Sequence, residues 1–98
     1  MKHIKGYEDF AFFIWANLKK GHGFDFSEYL DVDGGGESWG RVEIIPFCDS
    51  WLLAIGGYGG RSRAIAWDDE TTWGDVKCLV EGFFEYMQME EAFIEWGE

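Results

Sequence analysis

Nineteen of the 98 residues are phenylalanine, tryptophan or tyrosine, and the need to place so many rings constrains every fold open to this chain. Each ring can bury ~150–250 Å², whereas a domain of this size buries only ~60–70% of its unfolded surface. The rings therefore fill the core and leave some of their number partly exposed, and a cluster of exposed rings marks an interface. At 47% hydrophobic the chain falls outside the disordered class, which combines charge with low hydrophobicity. Its length fits one domain over residues 1–98.

Charge is the second constraint. Residues 68–98 hold ten of the nineteen acids and one base, Lys77, so ten minus one places −9 of the chain's −11 there. Residues 1–23 carry four lysines against Glu8 and Asp9, a net +2. The overall excess disfavours direct binding to DNA or RNA, whose phosphates demand Lys and Arg. Cys48 and Cys78 are too few for a disulfide framework. The opening Met1–Lys5 is too short and polar for a secretory signal. The longest apolar run, Phe10–Ala16, is far below the ~20 residues that cross a bilayer. The expectation is a cytoplasmic protein without membrane contact.

Periodicity places two helices. Tyr7, Phe10, Ala11, Ile14 and Leu18 recur at helical spacing, with Glu8 and Asp9 in the first turn and Lys19, Lys20 and Gly21 at the far end. Phe12, Phe13 and Trp15 widen that apolar face. Thr72 and Asp75 have capping-box spacing, and Val76, Leu79, Val80, Phe83, Phe84 and Met87 form the second stripe. Lys77 is spaced to pair with Glu81, and Cys78 reads as a buried small hydrophobe. Residues 90–98 read as a continuation of that helix or as a short one of their own. Between the helices, Phe24–Val32 alternates weakly as a strand. Trp39–Phe47, Trp51–Ile55 and Arg61–Trp67 follow as strands, with Trp51–Ile55 reading as central and buried on both faces. Their connections are too short for crossover helices, which predicts an antiparallel meander. The expected architecture is α+β in the order α-β-β-β-α, an antiparallel sheet of three or four strands with both helices on one face.

No catalytic constellation stands out. Asp31–Glu37 has the glycine of a calcium loop at Gly36 but lacks its third acidic ligand and the Glu at position twelve, so neither a metal nor any other cofactor is expected. Cys48, Cys78, His3 and His22 have no spacing that forces a nucleophile–base pair. The adjacent pairs Asp68–Asp69 and Glu90–Glu91 read as solvating or capping carboxylates. The glycine-rich stretch with Gly57, Gly59, Arg61 and Arg63 is a weak candidate for an anion, because no helix begins after it to complete a phosphate cradle.

The functional expectation rests on charge. Asp75, Glu81, Glu85, Glu90, Glu91, Glu95 and Trp96 form the candidate partner-binding set of a small, non-enzymatic interaction protein that docks on a basic partner, itself one that ordinarily holds nucleic acid. Glu81 and Glu85 fall one helical turn apart, ~6 Å, close to the spacing of successive phosphates. In charge and size, and in no motif, such a chain resembles the nucleic-acid mimics that act as inhibitors for mobile elements. Two alternatives stand beside it. One is an assembly protein forming a homodimer through Phe12, Phe13, Trp15, Phe93 and Trp96; the other is a small anionic-ligand binder at Gly56–Arg63.

Overall fold

The computed structural model describes residues 2–28, 39–57 and 60–95, with Trp39 described by its backbone alone. Eight elements follow in chain order. They are β1 (Lys2–Lys5), α1 (Tyr7–Asn17), β2 (Gly23–Ser27), β3 (Trp39–Phe47), β4 (Ser50–Gly56), β5 (Ser62–Ala66), α2 (Trp73–Met87) and β6 (Glu91–Glu95). The strands form one sheet in the order β1-β6-β2-β3-β4-β5, with every neighbouring pair antiparallel.

This corrects the expected α-β-β-β-α order and the sheet of three or four strands. The sheet has six strands, and both helices lie inside the chain with a strand before α1 and another after α2. The two additional strands are the ends of the described chain. β1 offers one buried apolar residue, Ile4, among lysines and a histidine, too faint a pattern to register as a strand. β6 alternates Glu91, Ala92, Phe93, Ile94 and Glu95, and it buries only Ala92 and Ile94. Close behind a helix, that alternation is easily read as more helix. Each strand is specified by the other: β6 inserts between β1 and β2, aligning Ile4 with Ala92 and Phe26 with Ile94.

Strands β2 to β5 form the meander. The β3–β4 hairpin closes through Cys48 and Asp49, both left-handed with φ 46° and 61°, the two-residue geometry whose twist matches the flanking strands. β2 ends at Ser27; the remainder of the expected Phe24–Val32 strand, and the whole Asp31–Glu37 loop, lie outside the described residues. β4 is not buried on both faces. Leu53 and Ile55 are sealed, whereas Leu52 and Ala54 are only half-covered.

One sheet face carries the core. Phe24, Phe26, Val42, Ile44, Leu53, Ile55, Ala92 and Ile94 all point to the side on which α1 and α2 pack against each other and against the sheet. Phe10 of α1 sits at the centre, 5.3 Å and near edge-on from both Phe26 and Phe84, the geometry that aromatic quadrupoles favour. α1 stops at Asn17, so Lys19 and Lys20 lie beyond its last turn, and Gly21 is left-handed in the turn into β2. α2 begins in the full capping box of Thr72 and Asp75. It ends on left-handed Gln88, where the Met89 N–H donates to the Phe84 carbonyl and Met89 itself is buried, a close that uses the orphan carbonyls of the last turn. Cys78 is exposed rather than buried. It falls on the side of α2 away from the stripe of Val76, Leu79, Val80 and Phe83.

Candidate functional site

α1 and α2 run antiparallel. Lys77 on α2 pairs with Glu8 on α1 at 2.8 Å, and at the opposite end Phe12 and Trp15 meet Trp73. The start of α1 therefore faces the C-terminal half of α2, and a cleft of about 440 Å³ opens between them. Glu81 and Glu85 of α2 and Glu90 of the following turn stand on its walls with Tyr7, over Phe84 and Met89. The Gly6 N–H donates to the Glu90 carbonyl at 2.9 Å, tying the two element junctions together.

Carboxylates outnumber bases around this cleft, and Lys77 is the cation that acts on Glu81 and Tyr7. Glu81, Glu85 and Glu90 form no salt bridge with the described residues, since Lys77, spaced for Glu81, goes to Glu8 instead. The helix ends beside it carry opposite partial charges of about half a unit each, so they largely offset one another and the carboxylates set the sign. Tyr7 reports the field directly. The neighbouring Glu81 carboxylate raises its phenol above the usual tyrosine value, with smaller contributions from burial and from its hydrogen bond to Glu81. Among the described residues, no three His, Cys, Asp or Glu side chains converge closely enough to hold a metal ion. Glu81, Glu85 and Glu90 share the lining of this one cleft.

The other expected partner-binding residues go elsewhere. Asp75 accepts the Thr72 N–H at 2.9 Å as the third-residue member of the capping box. Glu91 and Glu95 stand on the sheet face opposite the helices. There Glu91 bonds to His3, whose ring stacks 4.5 Å from Phe93, and Glu95 lies opposite Asp25. Trp96 is outside the described residues. The carboxylates of residues 68–95 therefore divide among the start of α2, its end, and the far side of the sheet.

Of the weak anion candidate, Arg61 and Arg63 come together against one ring. The Gly57 N–H donates to the Arg61 carbonyl at 2.6 Å inside the hairpin, Gly59 is outside the described residues, and the Arg61 and Arg63 guanidinium groups lie 5.5 and 5.4 Å from the Tyr86 ring centre. The rings named for a homodimer separate. Phe13 is in the core, Phe12 and Trp15 are 59% and 39% exposed on α1, and Phe93 lies under His3 on the other side of the sheet. Tyr7 is the site residue that sequence reasoning assigned only to packing. Its one sequence signal is a hydroxyl at the helix start, which an apolar stripe does not require.

No family model, curated protein or solved structure matches this chain. No helix among the described residues is long and apolar enough to cross a membrane.

Proposed function

We propose that this is a non-enzymatic interaction protein that docks a basic partner at the Tyr7–Glu81–Glu85–Glu90 cleft. The observation that carries this reading is the set of three carboxylates gathered around one apolar-floored cleft without a salt bridge among the described residues. A lysine or arginine side chain entering it would lay its stem on Phe84 and Met89 and bring its charge to the glutamates. Charge-assisted hydrogen bonds of that kind are about twice as strong as neutral ones. The field would also speed encounter with a basic surface.

Glu81 and Glu85 are four residues apart on α2, whereas Glu91 and Glu95 lie behind the sheet. A compact patch that receives basic side chains therefore fits better than an extended imitation of a nucleic-acid strand. The test is capture of partners from native lysate at low salt, followed by elution on a salt ramp. The expected result is basic proteins that elute as salt rises and that the E81Q/E85Q/E90Q protein fails to retain. A captured set indifferent to that triple substitution would refute the assignment.

A further inference from the structure

The two edges of the sheet are treated differently. β1 is short and carries Lys2 and Lys5, the charged guard by which edge strands resist pairing with other chains. β5 carries one charged residue, Arg63, and its guanidinium lies 5.4 Å from the Tyr86 ring centre of α2. Trp67 donates to the Trp51 carbonyl and Gly57 to the Arg61 carbonyl, so the odd residues of this strand make the ladder to β4. By alternation, the N–H and C=O groups of Ser62, Ala64 and Ala66 point outward from the sheet. Of these, the Ala66 carbonyl takes the Thr71 hydroxyl at 2.9 Å; the backbone of Ser62 and Ala64 has no partner among the described residues. Their side chains are small, exposed and present nothing to obstruct an added strand. Between this edge and α2 runs a groove of about 750 Å³, with Arg63 toward one end and Asp68, Glu70 and Asp75 toward the other.

The charge order along the edge identifies the occupant. Arg61 and Arg63 precede the apolar Ala64–Trp67, and Asp68, Asp69 and Glu70 follow it. A strand added antiparallel with the same sequence would bring its acidic end to these arginines and its arginines to these acids, twice over about one axis. Closed, self-complementary contacts of this kind are the commonest in soluble oligomers.

We propose that a second copy of this chain is the partner of β5, pairing antiparallel about Ala64 to join two six-stranded sheets into one. Ala64 faces its own counterpart, Ser62 faces Ala66 of the other copy and shares that carbonyl with the Thr71 hydroxyl already donating to it, and Arg61 and Arg63 reach the other copy's Asp68 and Glu70. This surface is separate from the Glu81–Glu85–Glu90 cleft, so either assignment can fail while the other stands.

Sedimentation at ~0.15 M salt, where exposed charges are screened beyond ~8 Å, is the experiment. Concentrations from about 10 μM to about 1 mM cover the weak association expected of an edge contact that buries less than ~1,200 Å². The expected result is a mass that doubles across this range, with amide exchange at Ser62 and Ala64 slowing in parallel. Ala64→Pro removes an outward N–H without touching the β4 ladder, and Ala64→Lys sets two ammonium groups opposite each other; each should lose the dimer while circular dichroism stays native. The R61E/R63E and D68K/E70K proteins should each be monomeric alone and form a mixed dimer when combined, because each then presents one sign of charge to the other. The proposal is overturned by a wild-type protein monomeric at ~1 mM, by a dimer that survives both Ala64 substitutions, or by no recovery on mixing the charge-reversed pair.

Discussion

A Cβ placed on Gly40 would run into the carbonyl oxygen of Gly56 in the neighbouring strand. The space there is closed by backbone, which cannot rotate away as a side chain can. Gly40→Ala should therefore lower the unfolding free energy by about 3 kcal/mol, the upper end for overpacking, read from the midpoint of a urea titration. Gly82 is the opposite case. A Cβ there meets only the Arg63 guanidinium, at 3.4 Å, and alanine is favoured over glycine inside a helix by about 1 kcal/mol. Gly82→Ala should raise stability in the same titration, by about 0.5 kcal/mol once the shift of Arg63 is deducted. Tyr7 supplies a residue-scale probe of the cleft. Because Glu81 raises its phenol above the usual value, the folded state holds that proton longer than the unfolded chain does. Its contribution to stability is then present below the unfolded value, near 10, and is lost as pH rises through the folded value. Glu81→Gln should move the Tyr7 titration, followed by ring-carbon NMR, back toward the ordinary tyrosine value. An unmoved curve would mean that the carboxylate is not what Tyr7 senses.

Elements differ in how far their own residues define them. α2 has its apolar stripe, its capping box and its stop all encoded locally, and the expected Thr72–Asp75 cap and Val76–Phe84 stripe are found in place. Thr72→Ala should cost about 1 kcal/mol by removing one partner of the box. Gln88→Gly should add roughly 0.5–1 kcal/mol by relieving a left-handed non-glycine residue, both measured by thermal unfolding. The site is legible to the same extent. Glu81 and Glu85 lie one turn apart on this helix, so their common surface follows from spacing, whereas Glu90 joins them only because the chain turns back at Gln88. The end of α1 was not legible in this way. Asn17 donates to the Phe13 carbonyl at 3.0 Å and Leu18 turns extended, so the helix closes before Lys19 and Lys20 can complement its dipole.

At the scale of the whole molecule, β6 closes the sheet. It fills the space between β1 and β2 with Ala92 and Ile94, both fully buried. Deleting residues 91–98 should therefore abolish cooperative unfolding, not merely fray an end, because β1 and β2 would each lose a ladder and the helices part of their floor. A truncated protein that kept a sharp thermal transition and native near-ultraviolet dichroism would contradict this account. The same insertion separates the acidic residues, because Glu91 and Glu95 belong to a strand whose alternate residues must face away from the core.

The residue order by itself determined the two helical stripes, the α2 cap, the β3–β4–β5 meander and the strongly acidic last third, since each depends on neighbours within a few positions. The tertiary structure decided that both described termini are strands, that Glu8 rather than Glu81 takes Lys77, and that Tyr7, Glu81, Glu85 and Glu90 share one cleft. Those outcomes depend on pairing between distant segments. β1 and β6 meet across 88 residues in the His3–Glu91 contact, and what stabilises each strand is the burial it gains against the other, which no short window of the chain records.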